Sequence, residues 1–217
     1  MMINENPSEL METADSNYES IRKKLVLRLF HQQGNEAIMD QYPCRKVLDL
    51  FLICEIQQEW ESEDEAFTAV TKEMLKQWNI PEDKLFEDAM EAAPRNEPYN
   101  FRKIEDVLME YKADMVFPKA EDVSLYVATT NSRYWGACVM VYPDFLRDVA
   151  LFLGQDFYII PSSVHEVLIL PGKNAPTVEN LNNIIAQINE KLLDPFERLS
   201  NQVYLCTRAG TCLTIAK

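Results

Sequence analysis

The spacing of apolar residues in the first half of the chain predicts mostly helices. Ile21, Leu25 and Leu29 recur every four residues and predict a helix from about residue 16 to residue 33. The run 47–56 is apolar on nearly every side, which fits either a buried strand or a buried helix. We predict a strand, paired with the apolar run that follows the next turn.

Helix start signals follow this predicted strand pair. The second strand, at 66–70, leads directly to Thr71, which is expected to cap a short helix. Pro81 opens the next helix, with carboxylates in the first turn, where the helix dipole favours them. A charged helix at 101–112 then lies between prolines. The N-terminal half is therefore predicted to be mainly helical.

In the C-terminal half, short apolar runs alternate with amphipathic stretches. Strands are predicted at 123–130, 136–142, 157–160, 164–170, 203–207 and 211–216, with helices capped by Asp144 and Thr177. The resulting order, β-β-α-β-β-α-β-β, is typical of a largely antiparallel sheet covered by helices on one side. The predicted fold class is α+β.

The length of the chain, 217 residues, fits one domain of above-average size. We predict an acidic flexible tail at 1–15, because this stretch is acidic and contains no basic residue. A single α+β domain at 16–217 follows. That domain can also be divided into two lobes, 16–97 and 118–217, joined by the charged helix 101–112.

The composition indicates a protein of the cytoplasm. Hydrophobic residues make up 47% of the chain, which is enough for a packed core. No apolar run reaches the roughly 18 residues that cross a bilayer. The N-terminus lacks the basic residues of a secretory or organellar signal. We therefore expect neither membrane insertion nor export.

The formal net charge of −14 limits the choice of partners. It opposes binding to phosphate backbones, so we expect no direct nucleic-acid binding. The acids between Glu59 and Glu65 fit a solvated turn. They also fit a docking surface for a basic protein, or a mimic of nucleic acid that blocks a DNA-binding protein. A protein partner is expected, while its identity and the oligomeric state are left open.

Signals for cofactors and metals are missing from the sequence. The five glycines are far apart, so the chain has neither the glycine-rich dinucleotide motif nor the phosphate-binding loop. The two histidines, His31 and His165, lie in distant segments without ligand-pair spacing. Glu166 is adjacent to His165, so the two side chains are expected to diverge. We expect no cofactor and no metal ion.

Six groups of residues carry a family resemblance. They are Ile21 to Leu29 with Asn35; Pro43 with Leu48-Asp49-Leu50; Trp78-Asn79-Ile80 with Leu85; Leu125-Tyr126-Val127 with Asn131 and Gly136-Ala137; Pro161 to Glu166; and Leu199-Ser200 with Val203-Tyr204. In this order and spacing they resemble a bacterial domain-of-unknown-function family, family 5688. The groups span nearly the whole chain after the acidic tail. The resemblance implies an α+β fold and brings no activity, substrate or cofactor.

The segment from Phe157 to Pro171 holds the densest group of potentially reactive side chains. Ser163, His165 and Glu166 suggest a hydrolase, with a nucleophile, a base and an orienting acid. On the predicted strand 164–170, however, Ser163 and His165 share one face while Glu166 points to the other. An acid for His165 must then come from elsewhere. The alternative is a hydrogen-bonded histidine that supports a Pro-Ser-Ser turn.

Asp49 is a second candidate, because it stands alone between two leucines in an apolar run. A carboxylate in that position must be paired, exposed at a strand edge, or functional. We favour a structural pair with an arginine, Arg28 or Arg45, since buried charges are usually paired.

The tip of the predicted hairpin at 123–142 is a third candidate. It presents Arg133, Tyr134 and Trp135, the residue types that dominate binding hot spots. The same side chains can instead fold back and cover the core. The two interpretations are equally compatible with the sequence.

The sequence favours a non-catalytic protein-interaction or regulatory module that contacts its partner through its acidic face and the Tyr134–Trp135 tip. One alternative is a small hydrolase-like enzyme that uses Ser163 and His165. Another is an acidic inhibitor that imitates nucleic acid through the acids at 61–65.

Overall fold

The computed structural model describes residues 17–31, 35–58, 66–110, 124–161, 163–210 and 212–217. The helices are α1 (Tyr18–Ile21), α2 (Glu36–Gln41), α3 (Lys72–Trp78), α4 (Glu82–Asn96), α5 (Ile104–Glu110), α6 (Pro143–Leu153) and α7 (Val178–Leu192). The strands are β1 (Leu25–His31), β2 (Arg45–Val47), β3 (Leu50–Gln58), β4 (Ala66–Ala69), β5 (Tyr99–Lys103), β6 (Tyr126–Thr130), β7 (Phe157–Ile160), β8 (Val167–Pro171), β9 (Tyr204–Cys206) and β10 (Leu213–Ile215). Two 3₁₀ helices lie at Arg22–Lys24 and Gly136–Val141.

The first sheet is built around β3. This strand pairs antiparallel with β1 along one edge, and with β2 and β4 along the other. Leu48, with a φ of 57°, forms the tight turn between β2 and β3. The apolar run 47–56 is therefore the end of one strand, a turn and the start of the next. The predicted pairing of this run with residues 66–70 is confirmed, because β3 pairs with β4.

Helix α4 contributes its apolar side to the same core as β1. Leu85, Phe86 and Ala89 of this helix are fully buried. At its last residue, the side-chain amide of Asn96 donates to the backbone oxygens of Lys23 and Leu25, at 2.9 Å each. These bonds fix the end of the helix beside the start of β1.

The second sheet has six antiparallel strands in the order β10-β9-β7-β8-β6-β5. Its two faces are buried in different apolar clusters. Phe157 and Ile159 of β7 belong to the main core, which also contains residues of the first sheet and α6. On the other face, Tyr158 and Ile160 lie in a second cluster together with the apolar residues of α7. Helices thus cover both faces, which corrects the prediction of a cover on one side.

The predicted helix at 16–33 is wrong over most of its length. Among the described residues of this range, only 18–24 are helical, and Leu25–His31 is the strand β1. A spacing of four residues is shared by one face of a helix and one face of a strand. Residues 25–29 are buried throughout, so no polar alternation marked the strand. Within the described residues, the N-terminal half therefore contains a four-stranded sheet in addition to its helices.

Two other predicted elements are also corrected. The charged helix predicted at 101–112 is present only as α5, because the residues before it form β5, where Tyr99 and Phe101 pack their rings against α6. Residues 111–112 lie outside the described part of the chain. The predicted strand 136–142 is a buried 3₁₀ helix. Gly136 lies against Thr129 and Thr130 of β6 and against the carbonyl oxygen of His165, which is 2.7 Å from where a Cβ would stand.

Several local signals were interpreted correctly. Thr71 and Thr177 cap α3 and α7 by accepting backbone N–H bonds, and Gly154 ends α6 in the left-handed conformation. The hairpins at β7–β8 and β9–β10 are present. Asp144 is not the N-cap residue of α6. The helix begins at Pro143, so the N-cap position is Tyr142. The acidic tail and the acids at 59–65 lie outside the described residues.

Candidate functional site

The loop after β6, residues 131–135, has an unusual backbone. Arg133 and Trp135 adopt left-handed conformations, with φ of 58° and 52°. Such a conformation costs a non-glycine residue about 1–2 kcal/mol. It is rarest for bulky side chains such as that of Trp135. The surrounding structure must therefore hold this loop in place.

Hydrogen bonds from neighbouring elements hold the loop at both ends. At its start, the Ser132 hydroxyl lies 3.0 Å from the Thr130 hydroxyl and accepts the Tyr134 N–H at 3.3 Å. At its end, the Trp135 N–H donates to Nδ1 of His165 at 3.2 Å. The strained residue Trp135 is thus tied to the histidine that the sequence singled out.

His165 lies in a loop and not on a strand, because β8 begins only at Val167. The Thr129 hydroxyl fixes its backbone by donating to the carbonyl oxygen at 2.7 Å. Since Nδ1 accepts a hydrogen bond, the neutral ring carries its proton on Nε2. That nitrogen lies 3.6 Å from Oε1 of Glu197. The partner acid of His165 is therefore Glu197, and the argument from strand alternation does not apply.

Three rings lie close together at this site. The ring centroids of Tyr134 and His165 are 5.6 Å apart, and that of Trp135 lies 6.1 Å from each of them. Phe30 of β1 packs below, 4.9 Å from the Trp135 ring. Tyr134, Trp135 and His165 are all half-buried. The tip therefore folds back onto the core and still presents ring surface to solvent.

Ser163 has a structural role in this geometry. Its hydroxyl accepts the backbone N–H of His165 at 3.1 Å, and the residue is 7% exposed. Within the part of the chain that the structure describes, no hydrogen bond joins this hydroxyl to the imidazole ring. Burial raises the pKa of Glu166, and the neighbouring His165 partly offsets that rise. Among the described residues, Ser163 is therefore not paired with His165 as a nucleophile with its base, and Ser162 lies outside those residues.

Asp49 connects the first sheet to the end of the chain. Its carboxylate accepts hydrogen bonds from the hydroxyls of Ser200, at 2.6 Å, and Tyr204, at 2.7 Å. Both hydroxyl-bearing residues are buried. The predicted arginine pair is therefore wrong, because Arg28 and Arg45 bind other acids. Two hydroxyl donors satisfy this carboxylate without a cation.

A buried ionic cluster, which the sequence analysis did not identify, contacts the start of the loop through Ser132. The guanidinium of Arg28 is fully buried and binds the carboxylates of Glu97 and Glu55, the latter at 3.0 Å. It also lies over the ring of Phe67, 4.4 Å from the centroid. The Ser132 hydroxyl donates to Glu97 at 3.4 Å. We call Arg28, Glu55 and Glu97 the Arg28 cluster.

The electrostatics of the Arg28 cluster favour a charged arginine. Burial opposes the charge on Arg28, but the negative charges of Glu55 and Glu97 outweigh this, so the pKa of Arg28 is raised. Burial also raises the pKa of Glu55, and Arg28 partly offsets that rise. One signal for the cluster was visible in the sequence: Arg28 is the only charged residue in the apolar run of β1.

Arg133 points to the outer side of the loop. It binds Glu110 at 2.8 Å, and Arg102 binds the same carboxylate at 2.7 Å. All three side chains are at least 30% exposed. The two arginines thus share one carboxylate at the outer edge of the loop.

The described residues form neither a metal-binding group nor a membrane-spanning helix. No group of three or more His, Cys, Asp or Glu side chains in those residues could hold a metal ion. Among the helices formed by those residues, none is long and apolar enough to span a membrane.

Comparison with known proteins gives one match. The model of a family of unknown function matches residues 1–208. No curated protein and no solved structure matches the chain.

Proposed function

We infer the role of this chain from its own structure, because it belongs to DUF5688, a family of unknown function. We propose that it is a non-catalytic protein-interaction module. Its contact surface, which we call the loop surface, consists of residues 131–135 with His165 and Glu197. The observation that carries the proposal is the left-handed backbone of Trp135, with a φ of 52°. Strain of this kind persists where a surrounding structure fixes it, and it clusters at functional sites.

The side chains of the loop surface support the same role. Arginine, tyrosine and tryptophan are enriched among the residues that contribute most to protein binding. Here the loop is fixed before binding by Ser132 and by the bond from Trp135 to His165. A fixed loop loses little conformational entropy when a partner arrives, which favours affinity.

No specific observation favours the two alternative functions. The hydroxyl of Ser163 and Nδ1 of His165 are both engaged with backbone N–H groups. The acids at 61–65, on which a nucleic-acid mimic would depend, lie outside the described residues. The net charge of −14 instead supports a basic partner for the loop surface.

We also propose a cytoplasmic location. Among the described residues, all five cysteines are free, and three of them, Cys54, Cys138 and Cys206, are buried. Unpaired buried thiols are typical of a reducing compartment.

Site-specific crosslinking in cells would test the interaction role. A photoreactive amino acid is placed at Arg133, and in a matched control at Glu179, an exposed position on α7. We expect a defined adduct with one partner from position 133 and not from position 179. Equal adducts from both positions, or none from position 133, would contradict the proposal.

A further inference from the structure

The three rings of the loop surface are arranged around a common centre. The distances between the centroids of Tyr134, Trp135 and His165 are 5.6, 6.1 and 6.1 Å, so they form a nearly equilateral triangle. The planes of Tyr134 and Trp135 meet at 85°, and His165 is tilted to both. A small cation above this triangle would lie within about 6 Å of all three centroids, the range of cation–π attraction.

A carboxylate lies at the edge of this triangle. Oε1 of Glu197 is 3.6 Å from Nε2 of His165, and the Glu197 side chain is 29% exposed. Its backbone is fixed, because its carbonyl oxygen accepts the Val164 N–H at 2.9 Å. Aromatic rings beside an accessible carboxylate favour a positively charged group, and the net charge of −14 adds a general attraction for cations.

The position of Glu197 also distinguishes between cations. One of its oxygens faces His165, which leaves the other for a ligand. A guanidinium prefers two parallel bonds to both oxygens of a carboxylate, whereas an ammonium group needs one acceptor at a time. The site therefore suits an ammonium better than a guanidinium.

We propose that Tyr134, Trp135, His165 and Glu197 form a binding site for the ammonium group of a lysine side chain on the protein partner. This inference rests on the proposed interaction role and specifies its chemistry. The lysine ammonium lies over the rings and donates to Glu197, while its alkyl chain contacts the edge of Trp135.

The test is an NMR titration of the wild-type protein, observed at the indole N–H of Trp135. The probes are n-butylammonium, which imitates lysine, n-butylguanidinium, which imitates arginine, and n-butanol, a neutral molecule of the same shape as the first. We expect a saturable shift with butylammonium, a smaller response with butylguanidinium and none with butanol. An equal response to butanol, or tighter binding of the guanidinium, would overturn the proposal.

Two glutamate variants locate the charge. Glu197→Gln should weaken butylammonium binding about fivefold, because the rings remain but the carboxylate is lost. Glu179→Gln removes the same charge from an exposed position on α7 and should leave binding unchanged. Equal affinities in the two variants would overturn the assignment of Glu197. Spectra that overlay away from the site confirm that both variants are folded.

The lysine site and the interaction role can fail separately. If position 133 crosslinks to a partner while butylammonium does not bind, the lysine assignment is wrong and the interaction role stands. If butylammonium binds and no partner is crosslinked, the site takes a cation but the proposed interaction role is wrong.

Discussion

Two clusters of polar side chains contact the two ends of one loop, and they differ in their exposure to water. In the Arg28 cluster the guanidinium is fully buried, the carboxylate of Glu97 is buried and that of Glu55 is 19% exposed. At the loop surface, His165 and Glu197 are about one-third exposed and lie 3.6 Å apart. In both places a carboxylate lies beside a basic side chain, but only the second place remains accessible to another molecule.

The comparison shows how one loop can serve both stability and binding. Ser132 donates to Glu97 in the Arg28 cluster, and Trp135 donates to His165 at the loop surface. The cluster therefore holds the start of the loop, and the histidine holds its end. In this account the buried side provides the rigidity on which the strained, exposed side depends.

The largest expected effect is on stability, from Arg28→Ala. Removing the guanidinium leaves the buried Glu97 and the partly buried Glu55 without a counter-charge, which should lower the free energy of unfolding by about 3–5 kcal/mol. Urea denaturation measures this loss. The matched control is Arg147→Ala, which breaks an exposed pair with Asp144 and should cost less than about 1 kcal/mol. Similar losses in both variants would contradict the structural role of the cluster.

The buried carboxylate of Asp88 tests how the stability of the fold depends on pH. Burial opposes the charge on Asp88, but hydrogen bonds from Lys84 and Tyr18, at 2.8 Å each, outweigh it and lower the pKa below 3.8. A carboxylate whose pKa is lower in the folded state stabilises the fold at pH values above its unfolded-state pKa. This contribution is lost as the pH falls through the folded-state pKa.

The test variant is Asp88→Asn. It should cost about 1–3 kcal/mol at pH 7, and the difference from wild type should shrink as the pH falls below 3.8, the ordinary value. Denaturation of both proteins across this pH range measures the difference. A gap that stays constant down to the lowest pH would contradict the assigned ionisation.

A mutation in the loop itself should change binding more than stability. Arg133→Gly relieves a left-handed backbone at a φ of 58° and removes an exposed ion pair, so stability should change by no more than about 1 kcal/mol in either direction. Butylammonium binding should nevertheless weaken, because a glycine lets the loop leave its fixed conformation.

The control for Arg133→Gly is Asn174→Gly, at a φ of 65° in another exposed turn. It should affect stability equally little and leave butylammonium binding unchanged. A large loss of stability in Arg133→Gly, or weakened binding in the control, would contradict the proposal that the Arg28 cluster stabilises the fold while the loop surface binds.

The smallest effect concerns thiol reactivity. Burial raises the pKa of Cys138 to about 11, and its sulfur lies beside Tyr142, next to the Arg28 cluster. At pH 8 the exposed Cys212 should react with a disulfide reagent at least about tenfold faster than Cys138. Cys138 should stay protected in Arg133→Gly and become reactive in Arg28→Ala. Equal reactivity of Cys138 in both variants would indicate that it does not report on the cluster.

Local signals in the sequence predicted the elements that begin or end at a distinctive residue. Thr71, Thr177 and Gly154 marked helix ends through their own hydrogen bonds or backbone freedom, and the structure places them there. The strand β1 was missed because a spacing of four residues fits both a helix and a strand. Local pattern does not separate the two when both faces of the element are buried.

The site was predicted in part. The sequence drew attention to His165 and to the tip at Arg133, Tyr134 and Trp135, and the structure brings them together. It did not indicate Glu197, because the contact joins segments 32 residues apart through tertiary packing alone. The left-handed backbone of Trp135 also had no signal, since tryptophan rarely adopts it.

One measurement tests the central claim that the loop surface binds and the Arg28 cluster stabilises. Tyr134→Ala is combined with the photoreactive amino acid at position 133, and adduct yield and melting temperature are recorded together. The account predicts that the adduct is lost while the melting temperature falls by only a few degrees, equivalent to about 1 kcal/mol. An adduct that persists, or a melting temperature as low as that of Arg28→Ala, would contradict the account.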